Sequence, residues 1–449
     1  MISLPSKEPI LIVCAGPGGL TLAQALRKRQ IPYRVFERDS DPEARGQGWA
    51  LALHWSVMTT MMQATRPGAV DERQRTNSNY DRIIPDLMSN FPDDLPPIET
   101  LSHLYERGEP SEGALFKGTT CEEITRFSSP DGKGFIRAAR PKLRQWLARN
   151  IDVEWGMKLL RYDVDEAGVT AHFADGRAVK GCMLIGADGS NSEGNLEALL
   201  AWLRRLLYDL GELTCLTVRN LLLGPEAAKL HVHQMDVYVG MTQLSKAQYE
   251  YQFRNFARSL YVVEAPTAHL FTGLRSISPD GETADYYWMV FRHLTEAEKH
   301  IKNRSIDDWS DEEILNAALD TVQKINPRFN EVVWLTKPEG IHRPALYMED
   351  FLPPPEGFGG NLVTLLGDAA HKMTPFKGEG GNHAMKDAID FVSLLDSGID
   401  DVSVLIKAYE ELMLKRARDA VERTRAAAMD WVNHSTKGAW QEKLKATSK

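Results

Sequence analysis

The sequence predicts an α/β protein in which both chain ends build one domain and a β-rich middle block is inserted between them. Three observations carry that expectation. A β-branched run, Ile10–Val13, leads through a glycine-rich turn into a helical stripe. A second apolar run at 362–366 leads through another glycine-rich loop into another helix. Between them, residues 231–293 are rich in Tyr, Phe, Val and Thr, the composition of antiparallel strands.

The elements follow in order. After the first run, Gly16, Gly18 and Gly19 supply a flexible turn, and 20–29 carries Leu20, Ala23 and Leu26 on one helical face. Residues 33–37 read as the second strand. Residues 64–133, rich in Pro, Asp, Ser and Gly, read as long connections and short strands. Pro141 opens a helix to Ala148, since proline is tolerated in a first turn, with Leu143, Trp146 and Leu147 on one face. Residues 153–188 alternate strand and turn and end in the apolar run 183–185. A helix is expected over 382–395, with Ala384, Met385, Ala388, Ile389 and Val392 as its buried stripe and Gly398 just beyond its end. A charged helix over 402–432 closes the chain.

The composition excludes several classes. The chain has 449 residues, 43% hydrophobic and 26% charged, which suits a folded protein with a sizeable core. Lys and Arg number 53 against 62 Asp and Glu, a net charge of −9, opposite in sign to a nucleic-acid binder. No apolar run approaches the ~20 residues that span a bilayer. The first ten residues lack a basic segment followed by an apolar one, so no secretory signal is read. Cys14, Cys121, Cys182 and Cys215 are too scattered for a disulfide framework or a metal site, and none is assigned. A cytoplasmic protein, monomer or homodimer, is the expectation.

Three motifs carry chemistry. Cys14-Ala15-Gly16-Pro17-Gly18-Gly19 lies between strand and helix, where small residues let backbone approach a pyrophosphate at a helix N-terminus. Glu37, ending the second strand, is placed to accept hydrogen bonds from a ribose. The first glycine of that fingerprint is Cys14 here, where a Cβ crowds the turn. The second motif, Leu184-Ile185-Gly186-Ala187-Asp188-Gly189-Ser190-Asn191-Ser192, is by itself an ordinary Asp-Gly turn. The third, Gly367-Asp368-Ala369-Ala370-His371, continues through Pro375 to Gly378-Glu379-Gly380-Gly381-Asn382. Its Asp368 suits a polyol, and its glycines bring backbone N–H groups and a helix N-terminus to a flat anionic ring.

Together the three resemble a class A FAD-dependent monooxygenase of the aromatic-hydroxylase type. The match runs from about Pro9 to about Asp396. It implies a Rossmann-like FAD-binding domain, an inserted β-rich substrate domain and a C-terminal helix. The boundaries read as 1–75, 136–228 and 346–449 for the FAD-binding parts and C-terminal helix, with 76–135 and 229–345 as the substrate layers. Glu37-Arg38-Asp39 with Glu43-Ala44-Arg45, then Gly48 and Leu51, resembles the tetracycline-inactivating branch. Arg140 with Leu143-Arg144 and Leu147 resembles the helix whose first arginine contacts FAD. The resemblance thus assigns Gly16, Gly19, Glu37, Arg38, Arg45, Gly48, Arg140, Asp188, Asp368, Pro375, Gly378, Gly380, Gly381 and Asn382 to the cofactor.

One feature departs from the family. There, the Asp-Gly stretch runs on through Ser-x-Val-Arg. Here Ser192 is followed by 193–217, and only then by Val218-Arg219. The block is an extra helix, with Leu199, Leu200, Trp202, Leu203, Leu206 and Leu207, or a translated intron that would misplace Arg219.

The implied cycle is reduction of FAD by NAD(P)H, addition of O₂ at the flavin C4a, and hydroxylation or epoxidation of a small organic substrate, as in secondary metabolism. The rivals are an FAD reductase without oxygen transfer and a degenerate flavin-binding protein, the latter prompted by Cys14 and the split motif. A serine hydrolase is disfavoured, since no Gly-x-Ser-x-Gly elbow is present. No catalytic base is assigned. His231, His233, Tyr238, Arg254, Tyr261, His269 and Trp288 are pocket candidates by type alone, His371 is read as fixing its loop, and Tyr286-Tyr287-Trp288 as sheet packing.

Overall fold

The computed structural model describes residues 8–44, 49–54, 83–102, 104, 109, 111–127, 135–189, 218–265, 268–299 and 305–437. Its first layer is a five-stranded sheet in the order Val363–Leu365, Met183–Gly186, Ile10–Val13, Tyr33–Phe36, Val153–Glu154. Every pairing is parallel. Parallel strands are covered on both faces and therefore read as unbroken apolar runs, as Ile10–Val13 and Met183–Gly186 do, each buried along its length. The order sets the first strand at the centre, with one N-terminal neighbour and one from the middle of the chain. Both chain ends thus contribute strands to one sheet.

Two helices lock this sheet from the same pair of motifs. Pro17–Lys28 begins three residues earlier than the apolar stripe indicates, because Pro17 is tolerated at a first helical position. Gly380–Asp396 packs against it. Gly18 makes their approach possible: a Cβ there would stand 2.6 Å from Leu366 Cδ1 and 3.3 Å from the Ala384 carbonyl oxygen. Gly398 follows at φ 80°, a left-handed conformation that stops the second helix.

The second layer is a six-stranded sheet in the order Met235–Ser245, Thr283–His293, Ala268–Ile277, Leu260–Glu264, Gly113–Lys117, Glu123–Phe127. It is antiparallel except where Leu260–Glu264 meets Gly113–Lys117. Strand alternation divides its side chains. Tyr261, Tyr286 and Trp288 face a core shared with Val322 and Phe329, whereas Val262, Tyr287, Met289 and Phe291 face the other way. On that other side lies a two-stranded sheet of Ala50–His54 and Phe135–Ala139.

Three helices depart from the sequence reading. Ile83–Asn90 lies in the stretch read as connections and short strands; it buries only Ile83, Ile84 and Leu87, too brief a stripe to show a period. Lys246–Asn255 interrupts the strand block, and Asp311–Val322 follows it. Both open with a capping box, Ser245 with Gln248 and Ser310 with Glu313. The last helix, Val402–Lys437, runs slightly past its expected end. No helix among the described residues is long and apolar enough to cross a membrane.

Candidate functional site

Three loops leave the carboxyl ends of three adjacent parallel strands, after Val13, Gly186 and Leu365. The ladder continues past the strands, with Ala187 N donating to the Val13 carbonyl and Leu366 N to the Gly186 carbonyl, each at 2.9 Å. A crevice at this end of an open parallel sheet is where such folds take ligands.

The first loop shows how Cys14 fits a glycine's place. Its φ is 96°, a region that L residues rarely adopt. Burial, with the charges of Glu37 and Asp188, pushes its thiol far above the ordinary range, which disfavours the thiolate. Gly19 is required by packing, since a Cβ would stand 2.2 Å from the Cys14 carbonyl oxygen. At Gly16 a Cβ would meet only Cys14 Sγ, at 3.6 Å, so open space lies where the helix N-terminus points. Cys14→Gly relieves the strained φ and is expected to stabilise the fold by ~1 kcal/mol after the added chain entropy of glycine. Urea denaturation checks this; a less stable variant would mean that the thiol contact with Glu37 outweighs the strain.

Glu37 lies beside this turn, 1% exposed. Its carboxylate accepts from Ala15 N at 2.9 Å and Asp39 N at 3.1 Å. Arg144, treated by the sequence reading only as part of a helix motif, donates to the same carboxylate at 3.3 Å and to the Ala15 carbonyl at 2.9 Å. Its guanidinium lies 5.1 Å from the Trp155 ring, and its Nη1 is buried without a hydrogen-bond partner among the described residues. Arg38 acts on Asp188 through its charge. Arg45 and Gly48 lie outside the described residues. Arg140 begins its helix and donates its backbone N–H to the Trp49 carbonyl at 3.0 Å.

The second loop rejoins the split motif. Val218 N donates to Asp188 Oδ2 at 2.8 Å, so the chain re-enters the fold a hydrogen bond away from the Asp-Gly turn. The intervening residues 190–217 lie outside the described residues. Arg219 is not displaced: it donates to the carbonyls of Asp368 at 3.0 Å and Ala369 at 3.1 Å, with its guanidinium 4.8 Å from the Phe351 ring. It ties the second loop to the third. Burial pushes the Asp188 carboxyl up to about 6, against the opposing pull of Val218 N and Arg219, and its Oδ1 has no partner among the described residues.

In the third loop the Asp368 side chain is exposed at the first position of a short helix, Asp368–His371. Pro375 and Gly378 are also exposed, Gly378 at φ 64° with open space around its missing Cβ. Gly380 and Gly381 start the long helix. There a Cβ would stand 3.7 Å from Asp368 Oδ1 at the former and 3.0 Å from Leu51 Cδ1 at the latter. Asn382 Nδ2 donates to the Ala52 carbonyl at 2.8 Å, and its buried Oδ1 has no partner among the described residues. Beneath the loop, the buried Asp387 carboxylate accepts from Gly367 N at 2.8 Å, His371 Nε2 at 2.6 Å and Arg416 Nη2 at 2.7 Å. His371 is thereby committed to holding the loop.

The residues suit an elongated flavin dinucleotide. Among the described residues, three buried polar atoms, on Arg144, Asp188 and Asn382, lack partners, a Cβ at Gly378 would meet nothing within 4 Å, and one at Gly16 would meet only Cys14 Sγ. The pocket candidates from the β-rich block do not converge there. Tyr261 and Trp288 are in the core facing away, with Trp288 Nε1 on Thr336 Oγ1 at 2.7 Å. Tyr238 bonds to Asp236 at 3.0 Å, Arg254 is exposed, and His269 packs edge-on against His293. His231, His233 and Asp350 bring potential ligand atoms within 4.8 Å, yet Arg425 and His233 already engage the Asp350 carboxylate. Tyr287, read as sheet packing, faces the two-stranded sheet and the third loop's Phe376 instead.

Residues 356–424 match the family described as FAD binding domain. The FAD-dependent monooxygenase thnD of Trichoderma harzianum is 30% identical over 441 residues, covering 95% of this chain and 93% of its own. This chain belongs to the FAD-dependent monooxygenases. Klebsiella pneumoniae HpxO, solved with FAD and uric acid, shares its fold with a TM-score of 0.67 at 19% identity, over 98% of this chain and 93% of that one. So does the 2,6-dihydroxypyridine-3-hydroxylase from Arthrobacter nicotinovorans, with a TM-score of 0.64 at 15% identity, over 95% and 93%. As an FAD-dependent monooxygenase it is an oxidoreductase with FAD as cofactor, NAD(P)H as reductant and O₂ as co-substrate.

Proposed function

We propose that this monooxygenase hydroxylates a flat, electron-rich small molecule, with FAD laid across the three loops. Bound FAD supplies electron transfer from NAD(P)H and activation of O₂. The chain's part is to bind, orient and exclude water. Gly16 and Gly19 admit the pyrophosphate to the helix N-terminus, and Glu37, held by Ala15 N and Arg144, keeps an acceptor toward the adenosine ribose. Asp188 and Asp368 take hydroxyls of the ribityl chain. Pro375, Gly378, Gly380, Gly381 and Asn382 border the ring, where the N-terminus of Gly380–Asp396 favours negative charge. Arg38, Arg45, Gly48 and Arg140 complete the set from the adjoining segments.

The observation that carries this reading is the Val218-Arg219 junction, where Val218 N donates to Asp188 and Arg219 donates to the carbonyls of Asp368 and Ala369, so that the second and third motifs are joined. The solved relatives supply the substrate class, since one holds uric acid and another is named for a dihydroxypyridine. Residues 1–75, 136–228 and 346–449 would form the cofactor domain, with the remainder as the substrate layer. A cytoplasmic location fits Cys14, Cys121 and Cys182, all free thiols.

The test is turnover under ¹⁸O₂ with a panel of dihydroxylated aromatic and heteroaromatic compounds. Product carrying one labelled oxygen per NAD(P)H consumed is expected. NAD(P)H consumption with every compound recovered unlabelled would favour a reductase. A protein that takes up FAD but consumes no NAD(P)H would favour a degenerate flavoprotein.

A further inference from the structure

Arg137 is the third residue of Phe135–Ala139, paired opposite Ala52 in the two-stranded sheet. Its neighbours Ile136 and Ala138 belong to the main core of the first layer. Alternation therefore sends Arg137 to the opposite face, into the layer of side chains between the two sheets. It is 7% exposed. Its guanidinium carbon lies 5.8 Å from the Phe271 ring centroid and 5.5 Å from that of Tyr287. Trp49 stacks on Tyr287 at 6.3 Å, and Phe376 of the third loop packs on Phe291 at 5.3 Å in the same layer.

Two of its nitrogens, Nε and Nη2, are buried with no hydrogen-bond partner among the described residues. These form one edge of the guanidinium. Arg34 shows what that edge does elsewhere in this chain: its Nε and Nη2 grip the two oxygens of Glu154 at 2.7 and 2.8 Å. Arg137 presents the same fork with no described residue in it. The two rings offer their π-faces to the cation but cannot accept two in-plane N–H bonds. Burial lowers the guanidinium to about 9, which still leaves it charged at neutral pH. A buried, charged, unfilled fork beside the flavin-binding loop is costly unless a ligand completes it.

We propose that Arg137 binds the paired oxygens of an anionic substrate, a carboxylate or an enolate conjugated to a flat ring system that lies against Tyr287 and Phe271. This rests on the reading of the crevice as the hydroxylation site and adds the charge of the substrate to it.

The test uses the FAD-loaded enzyme and isothermal titration calorimetry, without turnover. Two matched pairs separate the sources of the anion: 2-naphthoate against 2-naphthamide, and 2-hydroxy-1,4-naphthoquinone, an enolate at neutral pH, against its methyl ether. At least one anion is expected to bind ~10–100-fold more tightly than its neutral twin, the range of a charge-assisted pair. Arg137→Met should bring that ratio near one with FAD content unchanged, and Arg137→Lys should restore part of it. The flavin-loaded, ligand-free Met variant should be no less stable than the parent, since a structural cation would be missed and an unfilled fork is not. If the Met variant loads FAD poorly, Arg137→Gln reads the same ratio. A parent enzyme preferring neither anion, or a variant that keeps the preference, overturns the proposal. Anion preference without labelled product would instead sink the oxygen-transfer reading and leave Arg137 standing.

Discussion

Alanine at position 387 is expected to destabilise the enzyme by ~3–5 kcal/mol and to release most of its FAD. Asp387 is fully buried and lies behind the loop that begins at Gly367, away from the crevice itself. Its carboxylate holds Gly367 N, His371 and Arg416 at once. Arg416, from the last helix, also reaches Asp390 at 3.1 Å and His383 Nδ1 at 2.8 Å. Removing the carboxylate leaves a buried guanidinium with half its charge compensation gone and His371 with no acceptor. The loop then loses the bond that fixes Gly367 at φ 61°, just where Asp368 must present its side chain.

Acid should shrink the difference between parent and Asp387→Ala. Burial alone would raise the Asp387 carboxyl, but His371, Arg416 and the Gly367 N–H outweigh it and hold it below the ordinary range. A group lowered on folding stabilises above its unfolded value of ~4, and that contribution is lost as pH falls through the folded one. Denaturant titrations at pH 7 and pH 3, with flavin absorbance as second readout, check both parts. A loss under 1 kcal/mol at pH 7 would show that the carboxylate is dispensable to the loop.

That network also marks where sequence reading stops. The parallel strands were legible because burial on both faces leaves apolar runs, and the motifs because each pairs such a run with glycines at a helix start. Asp387, His371 and Arg416 lie on two helices and a loop, and no spacing in one dimension announces that they meet. Arg144 was on the page within a recognisable helix, but only the fold sets it against Glu37 and Ala15. Arg137 carries no sequence signal; strand alternation places it in the interlayer, and its lack of a hydrogen-bond partner among the described residues is a three-dimensional fact. The helices Lys246–Asn255 and Asp311–Val322 were signalled by Ser–x–x–Gln and Ser–x–x–Glu, local cues outweighed by the β-rich composition around them. Tyr286, Tyr287 and Trp288 show the reverse case. Their shared residue type suggested one role, and a period of two divides them between two cores.

Asp188→Asn should stabilise the flavin-free enzyme at alkaline pH, by ~3 kcal/mol at pH 8 and about half that at pH 5. The Asp188 carboxyl is pushed up to about 6 in the folded chain, chiefly by burial. A group raised on folding gives its full benefit while protonated, below its unfolded value of ~4, and loses it as pH climbs through the folded one. At pH 8 the folded chain therefore holds an ionised carboxylate whose buried Oδ1 has no partner among the described residues. Asparagine keeps an oxygen for Val218 N and removes the charge. The same change should weaken FAD retention, because the amide takes away an anionic acceptor from the hydroxyl-bearing part of the cofactor. Opposite signs in the two measurements, denaturation of flavin-free protein and flavin retention of loaded protein, would identify Asp188 as a group whose ionisation opposes folding and serves binding. Equal stabilisation at pH 5 and pH 8, or destabilisation at both, would locate the strain elsewhere in the crevice.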